Sequence, residues 1–222
     1  MASGVDPEIE PLCVALGLNP SAAQIQALTQ YLDLLLHWNA TYNLTAVRNR
    51  PDMVTQHLAD CLAVVRPVQH ALSQVLAFGR VLDVGSGGGL PGVVLAIMLP
   101  GLGVTCVDTV GKKAAFVRQA AGTLGLKNLQ AAHARVESLA DLPFDLITSR
   151  AFASLADFTR LSRPLLLPTG CWMAMKGKRP QAELDELPAD IDVFHVEQLT
   201  VPHLNAERCL VWMRLAGQQP LN

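Results

Sequence analysis

Four ionisable side chains stand at positions where a strand gives way to a turn. Asp83 precedes the run Gly85-Ser86-Gly87-Gly88-Gly89, Asp108 ends Val104-Thr105-Cys106-Val107-Asp108, Glu137 follows Ala134-Arg135-Val136, and Arg150 lies in Thr148-Ser149-Arg150-Ala151-Phe152. The glycine run carries two overlapping patterns. Gly87-x-Gly89-x-x-Gly92 matches the turn that cradles a dinucleotide pyrophosphate, with Asp108 at a distance suited to a ribose hydroxyl. Asp83-x-Gly85-x-Gly87-x-Gly89 instead places a carboxylate directly before the turn. Against a pyrophosphate that carboxylate meets like charge at short range; against an ammonium group it is favourable. S-adenosylmethionine offers an ammonium, a sulfonium and a ribose, and no phosphate, so the methyl donor outweighs the dinucleotide. Four glycines in five positions cost too much backbone entropy to serve packing alone.

Glu137 and Val136 follow the third strand, where an adenine ring would be sandwiched and its edge read; the plain alternative for Glu137 is a solvated loop acid. Arg150 sits at the carboxyl edge of the fourth strand, where α/β sheets bind ligands, either as a clamp on substrate and cofactor or as a structural ion-pair partner. Ser149-Arg150-Ala151-Phe152 is not the Asn/Asp-Pro-Pro-aromatic box that commonly serves exocyclic amine methylation. No Pro-Cys nucleophile occurs either, since Cys171 follows Gly170 inside a strand. An acceptor needing neither proton removal nor covalent activation fits best. Guanine N7 is one, and its alkylation rests on alignment rather than on a general base.

These residues need a sheet to hold them. Strands are expected at Arg80–Val84, Val104–Asp108, Asn128–Ala132, Phe144–Ser149 and Cys171–Met175, alternating with helices after Pro91, over Lys112–Leu124 and over Ser154–Leu161. Val193–Leu199 and Arg208–Leu215 have no helix-length segment between them and are expected to pair antiparallel. The fold class is therefore α/β: a Rossmann-like, mostly parallel seven-stranded sheet with an antiparallel last strand. Residues 1–78 read as a separate helical subdomain on the substrate side, and 79–222 as the cofactor-binding domain. In the first part, a helix capped near Ser21 presents Ile25, Leu28, Leu32, Leu35 and Leu36 on one face. Ala40–Ala46 reads as a structured loop, and further helices start at Pro51 and near Pro67.

With 222 residues, half of them hydrophobic and 16% charged, the chain can bury a sizeable core. The formal net charge of −2 does not advertise a nucleic-acid binder, so any such function needs local positive charge. Arg48 with Arg50, Lys112-Lys113 with Arg118, and Lys176-Gly177-Lys178-Arg179 supply it. Trp38, Tyr42 and Phe152 are candidates to stack a base, although Trp38 reads rather as core because it ends an amphipathic helix; Asn39 and Asn43 either meet a guanine edge or brace their own loop. His57, near Asp60, reads as structural. Five scattered cysteines without a CxxC pair suit a reducing cytoplasm and give no metal site. The acidic start Met1–Glu8 is unlike a signal peptide, and the apolar window 90–104 is too broken by Pro and Gly to span a bilayer.

Trp38-Asn39-x-x-Tyr42-Asn43-Leu44-Thr45-Ala46, His57-Leu58-x-Asp60, Asp83–Gly92, Arg135-Val136-Glu137, Ser149–Leu155 and Lys176-Gly177, in that order, resemble the small-subunit ribosomal RNA methyltransferase G family, once called glucose-inhibited division protein B. The likeness runs from about Gln24 to Leu215. It implies methyl transfer from S-adenosylmethionine to N7 of a guanine (guanine 527, in the 530 loop) of bacterial 16S rRNA. The expected partner is the RNA or the small ribosomal subunit, and the expected state a monomer. Carried across by matched motif, Gly85, Leu90, Val136, Glu137 and Arg150 are cofactor contacts; Asp83, Gly87, Gly89 and Asp108 are added by the physical reading. Alignment of the acceptor would fall to Arg150, Asn39 and Asn43, and RNA contact to Arg48, Lys176, Lys178 and Arg179. Two departures stand out: Gln56 where the family commonly has Arg, and Cys61 where it has Ser. The first removes one expected basic contact to RNA. Two other readings stand beside this one, a non-catalytic ribosome-assembly factor with a methyltransferase fold and a methyltransferase with another RNA acceptor.

Overall fold

The computed structural model describes residues 7–218 except Gln74, Leu76, Asp141 and Ala153. Ala153 of the fourth-strand motif and the Met1–Asp6 stretch of the signal-peptide reading lie outside the described residues. Seven strands form one sheet in the order β3-β2-β1-β4-β5-β7-β6. They are β1 (Arg80–Val84), β2 (Gly103–Asp108), β3 (Leu129–His133), β4 (Phe144–Ser149), β5 (Leu166–Lys176), β6 (Ile191–Gln198) and β7 (Cys209–Leu215). The first five pair in parallel, and β7 runs antiparallel between β5 and β6. β5 begins earlier than Cys171: it starts at Leu166 and takes Pro168 along, because the pairing with β4 is irregular between Phe144 and Leu146 and asks for no N–H there.

One face of the sheet is covered by α1 (Ile9–Ala15), α2 (Ala22–Tyr42), α3 (Arg50–Met53), a π-helical turn (Val54–Leu58), α4 (Ala59–Leu62), α5 (Val65–Ala71), α6 (Gly92–Met98) and α7 (Gly111–Leu124). Their apolar side chains form a single cluster, in which Leu28, Leu32 and Leu35 of α2 join Val93, Phe116 and the sheet residues Val81 and Leu146. The opposite face carries a smaller cluster built on Leu155 and Phe158 of α8 (Leu155–Ser162), Trp172 and Met213, with Leu184 of α9 (Gln181–Asp185) at its margin.

Ser21 caps α2 as the sequence suggests: its hydroxyl accepts from the Gln24 N–H, and the Gln24 side chain accepts from the Ser21 N–H. The Gln24 amide also donates to the carbonyls of Ile97 and Met98, tying the start of α2 to the end of α6. At its other end α2 continues through Ala40 and Thr41, which the sequence reading assigned to a loop. It stops only where Asn43 turns left-handed and closes onto the Asn39 carbonyl.

Candidate functional site

The glycine turn joins β1 to α6, and its backbone shows why these residues are there. Gly85, Gly87 and Gly89 have φ of 69°, 57° and 84°, where a side chain is strained. Gly92 is needed for a different reason: a Cβ there would lie 2.4 Å from Cys106 Sγ and 2.9 Å from Asp83 Oδ2. Pro91 stands at the N-cap of α6, with φ −92°.

Alternation along β1 sends Leu82 and Val84 to one face and Val81 and Asp83 to the other. Val84 therefore reaches the wall of a 390 Å³ cavity at the carboxyl ends of the parallel strands, whereas Asp83 turns away from it. Asp83 is fully buried, and its Oδ2 accepts the Gly92 N–H at 2.8 Å. This corrects the expectation that Asp83 faces the ligand directly: its carboxylate braces the turn from beneath. Burial raises its pKa to about 7, against the lowering influence of the Gly92 N–H and Arg150. Its Oδ1 and the hydroxyl of Thr148, its register neighbour on β4, are buried without a partner among the described residues.

Asp108 does line the cavity. Its Oδ2 accepts from Gly87 N–H at 2.9 Å and its Oδ1 from Val110 N–H at 2.8 Å, while Lys113 Nζ lies 3.9 Å away. A carboxylate has about four acceptor sites, so Asp108 can hold the turn and still accept from a ribose hydroxyl. Gly85, Val136, Glu137 and Phe152 are among the other wall residues, so the structure brings together residues from the ends of β1, β2, β3 and β4. Glu137 is exposed and Val136 buried, an apolar surface beside a polar acceptor. Leu90 lies beneath the turn, packed in the core, with its N–H on the Ser86 carbonyl. A 490 Å³ cavity between α5 and the β6–β7 pair is larger, but it sits at the amino end of β5, away from the strand ends that bind ligands in such sheets.

Arg150 lies one residue outside the cavity that Asp108 lines, and lines a neighbouring one of 360 Å³ with His57, Asp60 and Arg208. Its Nη1 is 3.4 Å from both Asp60 Oδ2 and His57 Nδ1. The His57 pKa falls to about 4, through burial and then the Arg150 charge, so the imidazole is neutral at physiological pH. Asn39 does not face a ligand: buried in α2, it donates to the Val47 carbonyl and accepts the Thr45 N–H, bracing its own loop. Asn43, Arg48, Lys178 and Arg179 are exposed. Lys176 is engaged by Glu183 and the Phe152 carbonyl, which neutralises the charge expected to meet RNA. Trp38 packs edge-on against Phe116 and beside the exposed Tyr42.

Sequence reading missed Tyr31, whose hydroxyl donates to the Gly88 carbonyl at 2.6 Å, and Arg208. Tyr31 gave one signal, a polar atom on an apolar helix face; Arg208 gave none. No helix of the described residues is long and apolar enough to cross a membrane.

Comparison with known proteins bears on the family and the fold. The model of the family described as rRNA small subunit methyltransferase G matches residues 24–211. A ribosomal RNA small subunit methyltransferase G from Leptothrix cholodnii is 60% identical over 200 residues, covering 90% of this chain and 91% of its own. Its counterpart from Acidovorax sp. (strain JS42) is 59% identical over 206 residues, with the same coverage. Among solved structures, a 1,6-didemethyltoxoflavin-N1-methyltransferase from Burkholderia thailandensis, with S-adenosylhomocysteine bound, has a TM-score of 0.55 at 17% identity, covering 84% of this chain and 89% of its own. A ribosomal protein L11 methylase from Lactobacillus delbrueckii subsp. bulgaricus also has a TM-score of 0.55, at 13% identity, covering 72% and 78%. At such identities these two share the fold. The match across nearly the whole length settles the rest: the chain belongs to the rRNA small subunit methyltransferase G family.

Proposed function

We propose that the chain methylates N7 of a guanine in bacterial 16S rRNA, acting as a monomer. The observation that carries this reading is the cavity at the carboxyl ends of β1, β2 and β4, where Asp108 keeps acceptor capacity beside the glycine turn. S-adenosylmethionine, when bound there, supplies an electrophilic methyl group. Asp108 would hold its ribose, Val107 and Val136 would sandwich its adenine, and Glu137 would accept from the ring's edge. Gly85 would let the backbone come close, its would-be Cβ meeting only Ala151 at 3.5 Å.

The neighbouring cavity supplies donors and no evident base for proton removal. His57, its pKa lowered to about 4 by burial and by Arg150, is too weak a base to take a proton from an amine, and Asp60 is already paired with two arginines. Guanine N7 attacks through a lone pair and loses no proton, so donors that orient the base suffice. Exposed Arg48, Lys178 and Arg179 would contact phosphates, which reconciles RNA binding with the acidic total. The helices before β1 would form the substrate side.

Purified protein incubated with labelled S-adenosylmethionine and either 16S rRNA or small subunits should yield 7-methylguanine on nuclease digestion. A cofactor-binding preparation that forms none with either acceptor would sink the reading. Methyl transfer to another atom or another RNA would replace it.

A further inference from the structure

The cavity that Arg150 lines shares the turn after β4 with the cofactor cavity, whose wall includes Ala151 and Phe152. Its centre is a buried carboxylate. Asp60, with a side chain only 4% exposed, accepts from Arg208 Nε at 2.9 Å through Oδ1 and lies 3.4 Å from Arg150 Nη1 through Oδ2. The three residues come from α4, the β4 turn and the segment before β7, so Asp60 joins positions 90 and 148 residues away in sequence.

The charges nearly balance. Lys176 on the rim is neutralised by Glu183 at 2.7 Å, His57 is neutral and Gln56 uncharged, which leaves two guanidiniums against one carboxylate. If attraction of RNA were the only requirement, Asp60 would be a handicap, since it cancels half the local charge and is costly to bury. What a buried carboxylate supplies is direction. A guanidinium is planar and carries five N–H donors in a fixed fork. Asp60 takes one from Arg208 and faces one of Arg150; the Glu207 carbonyl takes a second from Arg208. The π-helical turn Val54–Leu58 leads directly into α4, and such turns are frequent where a helix is shaped for function.

We propose that Asp60 is a positioning residue that clamps Arg150 and Arg208 so that their remaining N–H groups grip a phosphodiester of the acceptor strand beside the target base. This rests on the RNA-methylating reading above. A phosphodiester matches the residual single positive charge, and paired guanidinium forks fit its two free oxygens. The contact sets the register of the strand and reads no sequence.

The test uses the full chain with small subunits as methyl acceptor, and filter binding of 16S rRNA across a salt series. Arg208→Ala should raise KM for the acceptor at least tenfold with kcat within threefold. It should also reduce the salt slope of RNA binding by about one, the signature of one lost phosphate contact. Affinity for S-adenosylhomocysteine, by calorimetry, should stay within twofold, which also shows that the variant is folded. Arg208→Lys keeps the charge and loses the fork, and should still raise KM several-fold. Asp60→Asn adds net positive charge: attraction alone would tighten RNA binding, whereas a lost clamp weakens it. An unchanged KM in Arg208→Ala, a wild-type KM in Arg208→Lys, or tighter RNA binding by Asp60→Asn would each overturn the clamp. If the wild type transfers no methyl group to rRNA, the functional reading fails and the binding slopes alone decide the clamp.

Discussion

Two carboxylates flank the glycine turn, and their surroundings give them opposite tasks. Asp108 is held at the cavity wall by two backbone N–H groups, so its removal should both loosen the turn and take away the acceptor proposed for the ribose. Asp108→Ala is expected to weaken S-adenosylhomocysteine binding by tenfold or more in calorimetry; affinity equal to wild type would show that Asp108 does not touch the ligand. Asp83 is a stability group. The unfolded chain releases its proton at about 3.9, the folded chain at about 7, because burial disfavours the charge. Between those values the native state holds more protons than the unfolded one, so stability falls as pH rises and the loss is complete above about pH 7. Asp83→Asn can still accept the Gly92 N–H through its carbonyl oxygen. Urea midpoints at pH 5 and pH 8 should therefore fall less in the variant than in the wild type, and equal falls would refute the assignment.

At the scale of elements, α6 comes very close to the sheet at Gly92. Gly92 packs so close to Cys106 and Asp83 that Gly92→Ala must push helix and sheet apart. Overpacking of this kind costs roughly 1–3 kcal/mol. For a chain of this size that is a fall in Tm of about 2–12 °C, to be read in a thermal melt. Gly87 differs: a Cβ there would meet nothing within 4 Å, so Gly87→Ala should cost only the roughly 1–2 kcal/mol of a left-handed residue. A larger loss for Gly87→Ala than for Gly92→Ala would contradict the packing argument.

Across the whole molecule, the helices before β1 and the sheet they cover share one apolar cluster. Tyr31 carries the link into the site, its hydroxyl bonded to the Gly88 carbonyl from a fully buried position. Tyr31→Phe leaves that carbonyl without its donor and should lower stability by about 1–3 kcal/mol. A chain starting at residue 79 would uncover Val93, Phe116 and their neighbours on α6 and α7. It should lack a cooperative melt and bind no S-adenosylhomocysteine; a fragment that melts cooperatively and binds it would establish the helices as a separable domain.

The residue pattern by itself determined the glycine turn, the parallel strands and the antiparallel tail, because each is written in local spacing: glycines at fixed offsets, apolar runs of strand length, and two strands without a helix between them. It also marked Asp108, Val136 and Glu137, since strand ends in such a sheet converge on one edge. Only the tertiary structure decided which way Asp83 faces, because a slip of one position along a strand exchanges wall for core. The same holds for Asn39, drawn into its own loop, and for Lys176, neutralised by Glu183 from α9. The Asp60–Arg150–Arg208 cluster exists only through the insertion of β7 between β5 and β6, which brings residue 208 back across the sheet to α4. Contacts over 148 residues leave no periodicity behind them, so the cluster proposed to grip the acceptor strand could come only from the tertiary structure.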